Sequence, residues 1–146
     1  MSQPEVIAAP PHRFWVVAIL ALLWNLIGVM SYLSSVMISV ETLGAISEAE
    51  RALYTNVPPW VTVSYAIAVI GGSLACVVLL ARRRWSTVLF AISLVAVVVQ
   101  MSHQFFLTAA IEVLGLSAAV VPIMVILVAA WLVWFSSDAG QKGWLR

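Results

Sequence analysis

Charge is scarce in this chain. Only 9% of its 146 residues are Asp, Glu, Lys or Arg, against about 25% in an ordinary soluble domain. The net charge is +1 and the one basic run is Arg82-Arg83-Arg84, which excludes the electrostatic footprint of a nucleic-acid binder. Cysteine is nearly absent: Cys76 stands alone, so neither an intramolecular disulfide nor a Cys-based metal site is available. The two histidines, His12 and His103, lie far apart in the chain and leave a metal ion without a ligand set. No HExxH, Walker-type loop or dinucleotide fingerprint occurs, and no serine shares a layer with a base and an orienting acid. The expectation is a protein that is not an enzyme and uses no cofactor or metal.

What fills the sequence instead is hydrocarbon. Hydrophobic residues make up 64% of it, against a usual 45–50%, and seven tryptophans suit a chain with two membrane interfaces. The lipid bilayer is the expected partner. The apolar run from Phe14 to about Val36 exceeds the 7–15 residues of a signal-peptide core, and no small-residue cleavage pattern follows it, so it reads as an uncleaved span. Four spans are expected, at about 14–38, 59–81, 85–110 and 118–135, each long enough for a core of roughly 30 Å. The fold class is therefore all-α, an integral membrane bundle of four transmembrane helices. Residues 1–13 and 137–146 read as short polar tails. Ser47-Glu48-Ala49-Glu50 has the form of a capping box and predicts one short helix, lying at the interface between spans one and two. Pro58-Pro59 suits the start of span two, and Pro122 the first turn of span four.

Lys and Arg set the expected orientation. Arg13, the Arg82–Arg84 turn, Lys142 and Arg146 fall on one side and Arg51 alone on the other, which predicts both termini in the cytoplasm. Glu41, Glu48, Glu50 and Glu112 then face outward. Trp15, Trp85, Trp134 and Trp144 fall near the inner interface and Trp60 near the outer one, as in an aromatic belt.

Against this background Gln100, His103 and Gln104 stand out, because polar groups at membrane depth are functional candidates. Their i, i+3, i+4 spacing puts them on one helix face. At 1.5 Å per residue, Gln100 lies about 22 Å and His103 about 27 Å from the cytoplasmic side, Tyr32 about 27 Å, and Tyr65 about 8 Å below Trp60. These residues therefore share a layer in the outer leaflet, with Glu41 and Glu112 above it as the mouth of a pocket. Asn25 lies deeper, roughly 16 Å in. One reading is an outward-facing pocket for a neutral polar solute. The other is that the groups bond to one another and hold the bundle together.

Ser64, Ala68, Gly72 and Cys76 recur every four residues along span two and form a groove for close helix packing, against this chain or another protein. Glu41-Thr42-Leu43-Gly44 after span one resembles Glu112-Val113-Leu114-Gly115 after span three, and Val57-Pro58 resembles Val121-Pro122. Either the hairpins are a parallel duplication of the kind found in transporters, or the match is coincidence.

Four further stretches carry a resemblance over almost the whole chain. They are Leu23-Trp24-Asn25-Leu26-Ile27-Gly28-Val29, Pro59-Trp60-Val61, Pro122-Ile123-Met124-Val125-Ile126 and Lys142-Gly143-Trp144-Leu145. Together they resemble a family of small, uncharacterised bacterial four-span inner-membrane proteins often labelled "sugar transporter". The resemblance implies a multi-pass protein of the bacterial inner membrane and, by that label, transport of a small solute. It does not extend to the half-size SWEET carriers, which have three spans and a Pro-Gln motif; no Pro-Gln occurs within these spans. Four helices of one chain enclose little volume, so a transport path is expected to form more naturally in a homo-oligomer. The rival expectation is an accessory or assembly subunit that docks on a membrane-protein partner through the small-residue groove.

Overall fold

A computed structural model describes residues 8–146, so the part of the N-terminal tail at residues 1–7 lies outside the described residues. The described chain is helical: α1 (His12–Val36), α2 (Val40–Ala45), α3 (Glu48–Thr55), α4 (Pro59–Leu80), α5 (Trp85–Phe106), α6 (Ala110–Leu114) and α7 (Ser117–Gln141). The helices α1, α4, α5 and α7 are each long and apolar enough to cross a membrane. Large apolar side chains such as Leu20, Ile70, Val95 and Leu127 point outward from all four. Such a surface belongs in lipid, where a helix satisfies its own backbone and apolar side chains meet an apolar solvent. The chain is a four-helix membrane bundle, as its composition predicts.

The element boundaries differ from the sequence expectation in instructive ways. Two short helices, not one, separate the first two spans. Ser39 caps α2 by accepting from the Thr42 N–H, and Ser47 caps α3 by accepting from the Glu50 N–H. Glu50 answers by accepting from the Ser47 N–H and hydroxyl, which holds its carboxyl below the usual carboxylate range. Both Glu-x-Leu-Gly-like segments form short helices, α2 and α6, with Glu41 and Glu112 in their first turns. The third long helix stops at Phe106, earlier than expected, and the fourth runs on to Gln141. Pro122 falls inside α7 and not in its first turn. Having no N–H, it leaves the Ala118 carbonyl without its helical donor.

Packing runs in chain order: α1 lies on α4, α4 on α5 and α5 on α7, while α1 and α7 have no comparable contact along their lengths. They meet at the end of the bundle that carries the chain termini, where Phe14 stacks on Phe135 at 6.1 Å. We call this the basic end, and the opposite end, with α2, α3 and α6, the acidic end. The main core sits toward the basic end, around Phe14, Ala18, Leu79, Phe90, Phe135 and Leu145. Trp144 faces inward rather than outward. It is buried, packs edge-on against Phe14 at 6.0 Å, and lies beneath the Arg13 and Lys142 cations at 6.0 and 5.1 Å from its ring centre. The C-terminal residues are thus core, not a free polar tail.

Arg82 holds that closure. Its backbone is left-handed, with φ +58°, where it ends α4 in a Schellman turn: the Arg83 N–H reaches the Val78 carbonyl and the Arg82 N–H that of Leu79. Its guanidinium donates to the carbonyls of Trp144 (2.8 Å) and Ala8 (2.9 Å), tying the α4–α5 turn to both tails. Backbone bonds from Arg146 to Arg82 (2.6 Å) and from Arg84 to Arg146 (2.9 Å) complete the clasp. Arg82→Ala is expected to lower stability by about 1.5–3 kcal/mol, the range for hydrogen bonds to a charged group. Arg82→Gly should lose less, because glycine removes a left-handed penalty of roughly 1–2 kcal/mol. Thermal unfolding of the three proteins in one detergent checks the order; equal stability of wild type and Arg82→Ala would contradict the clasp.

Candidate functional site

A close contact of three helices is built at Gly72 of α4. A Cβ added there would collide with Asn25 Oδ1 from α1 and lie 3.2 Å from Ser93 Oγ of α5. Glycine is therefore what lets three helices converge on one point. The Asn25 amide donates to the Ala21 carbonyl (2.9 Å) and to Cys76 Sγ (3.5 Å), and Ser93 donates across the interface to the Ala68 carbonyl (2.6 Å). Ala68, Gly72 and Cys76 are buried in this contact. The small-residue groove is filled from within the chain. Ser64 takes no part in it: its hydroxyl turns back to the Trp60 carbonyl of its own helix at 2.8 Å.

Toward the acidic end from this point the helices separate and enclose two adjoining cavities. The outer one, about 450 Å³, is a vestibule lined by Tyr32, Tyr65, Gln100, His103 and Gln104, with Thr62 and Thr108. The inner one, about 470 Å³, lies between α1 and α7, with α4 and α5 behind it. Tyr65, Gln100, Gln104 and Leu114 line both, forming the wall they share. Each volume falls within the roughly 300–1,000 Å³ of small-molecule sites. A single chain thus offers space of that size.

The vestibule residues are placed by aromatic contacts more than by hydrogen bonds. Tyr32 and Tyr65 meet edge-to-face at 5.3 Å, and His103 stands edge-on to Trp60 at 5.4 Å. Among the described residues, the side chains of Tyr32, Tyr65, Gln100, His103 and Gln104 make no hydrogen bond, to one another or to the backbone. Their polar atoms are not sealed in either. The one fully buried side-chain polar atom without a partner in that set is Ser86 Oγ, on the first turn of α5. Five polar side chains around one space, none of them engaged by protein, is a site with free hydrogen-bonding capacity.

Comparison with protein-family models, curated proteins and solved structures finds no match. The site is therefore read from its own chemistry.

Asn25 lines the inner cavity and not the vestibule, with its amide N–H₂ already engaged. Glu41 and Glu112 line neither cavity; both are exposed, on α2 and α6, while Leu53, Tyr54 and Val57 are among the residues that line the vestibule. Among the described residues no cluster of His, Cys, Asp and Glu is arranged to hold a metal. Sequence reasoning missed Ser93, although its position seven residues before Gln100 puts it on the same helix face. It also missed the inner cavity, which depends on the divergence of α1 and α7 and leaves no local signature.

Gly72→Ala is expected to destabilise the bundle by about 1–3 kcal/mol, the usual penalty for overpacking. Removing the colliding group in Asn25→Ala/Gly72→Ala should restore part of the loss. A double-mutant cycle in thermal unfolding would read this as coupling. Strict additivity would mean that Asn25 and Gly72 do not share the contact described.

Proposed function

We propose that this chain is a multi-pass protein of the bacterial inner membrane that binds a small neutral polar solute, such as a sugar, in the vestibule and passes it across. The observation that carries the reading is the convergence of Gln100, His103, Gln104, Tyr32 and Tyr65 on one cavity with their hydrogen-bonding groups unengaged. Amides and phenols both donate and accept, so they suit hydroxyl-rich ligands. Among the described residues, no Asp, Glu, Lys or Arg lines either cavity, which favours an uncharged solute.

The Lys and Arg asymmetry puts the basic end in the cytoplasm, so that the vestibule opens outward. In that frame the Phe14–Phe135 stack and the Arg82 clasp close the cytoplasmic side. The family resemblance of the sequence, with its sugar-transporter label, agrees with this reading. The rival, an accessory subunit docking through the small-residue groove, has its docking surface occupied by Asn25 and Ser93 of the same chain. It would need another surface.

A panel of sugars and polyols should contain a ligand that raises the unfolding temperature of the purified protein. Stabilisation should reach about 2.7 kcal/mol at a hundredfold excess over Kd. Gln100→Leu and His103→Leu should abolish the shift while keeping the fold. Proteoliposomes should accumulate the same ligand. No shift with any member, together with no uptake, would remove the proposal.

A further inference from the structure

We infer that the inner cavity holds the hydrocarbon chain of an uncharged amphiphile, whose polar head reaches Gln100 and Gln104. The inference rests on the vestibule reading for the site of the head, and adds the chain and its route.

The chemistry of the cavity changes along its length. Toward the basic end its walls are Trp24, Phe90, Val125, Val128 and Leu132. The polar side chains that reach this cavity from α1, Asn25 and Ser31, are engaged with the Ala21 and Ile27 carbonyls. Ser93 is engaged with the Ala68 carbonyl and Ser117 with that of Leu114. Among the described residues, the side-chain donors that line it without a partner are Gln100, Gln104 and Tyr65, in the wall shared with the vestibule, and the single indole N–H of Trp24. One end of the space is therefore predominantly hydrocarbon, and the other offers amides and a phenol. That gradient matches an amphiphile and not a compact sugar.

Size and charge both bear on the class. At about 470 Å³ the inner cavity has the size of a small-molecule site, enough for a hydrocarbon chain. Among the described residues neither wall carries a Lys or Arg, so a phosphate or carboxylate head would find no counter-ion there. A desolvated unpaired charge is strongly disfavoured. A neutral head bearing hydroxyls, as in a monoacylglycerol, fits both ends.

The cavity also opens to lipid. Ile27 on α1 and Val121 on α7 both line it, and each is 63% exposed on the outer surface of the bundle. The gap between α1 and α7 is thus a lateral slot, closed at the basic end by the Phe14–Phe135 stack. The chain of an amphiphile can enter through it from the bilayer without crossing water.

Trp24, in the cavity wall, is the reporter. The protein and its Trp24→Phe variant are placed in phosphatidylcholine nanodiscs and titrated with a dibrominated stearoyl monoglyceride. The difference between the two isolates quenching of Trp24. The expected result is a saturable curve, in contrast to the linear quenching of lipid-facing tryptophans. Its half-saturation should rise at least about tenfold in Ala129→Phe, in Gln100→Leu, and with the ionised dibromostearic acid as probe. Val125→Phe, also filling the cavity, repeats the test should Ala129→Phe not fold. A purely linear Trp24 signal, or a saturable one untouched by both filling variants, would overturn the chain site whatever the solute panel shows. An unchanged half-saturation in Gln100→Leu, or equal binding of the fatty acid, would overturn the placement and neutrality of the head.

Discussion

A bilayer gives one helix no hydrophobic reason to pack on another, because lipid tails are as apolar as leucine; association rests on close contact and shared polar groups. In this protein both are concentrated at Gly72, where the absence of a Cβ admits Asn25 from one side and Ser93 from the other. Toward the basic end, tight packing continues through Phe14, Leu79, Phe90 and Phe135 and is locked by Arg82. Toward the acidic end the small residues give way to Tyr65 and the glutamines, the helices part, and two cavities open.

That asymmetry gives the polar residues of α5 their meaning. Hydrogen-bonded to each other, Gln100, His103 and Gln104 would be internal glue. They line a cavity with their side chains unbonded, whereas Asn25 and Ser93, which line the inner cavity, are hydrogen-bonded within the protein beside α4. Bonded and unbonded polar side chains are thus set apart along the bundle. The same division appears at the ends. One is sealed by aromatic stacking and backbone bonds, and the other is roofed by the short helices α2, α3 and α6.

Composition was enough to read the architecture, because four long apolar runs have one solution in lipid. The capping box of α3 was legible because both of its partners lie within four residues. Depth counting brought Tyr32, Tyr65, Gln100 and His103 to one level, since helical rise is nearly constant. Pro122 was misjudged by counting alone: from a start near 117 or 118 it already lies past the first turn. Two features stayed hidden. The burial of Trp144 goes with the return of the C-terminus to Arg82, through contacts 62 residues apart in sequence. The inner cavity depends on two helices that diverge, and divergence is a property of the whole bundle.

The central claim is a vestibule that opens outward above a sealed basic end. Its most direct test is thiol accessibility in intact cells, with Cys76 replaced by Ala and single cysteines introduced at His103 and at the buried Ala139. A membrane-impermeant thiol reagent added from outside should modify the cysteine at position 103 and leave that at 139 untouched. Reaction at 139 without reaction at 103, or no reaction at 103 from outside, would contradict the account.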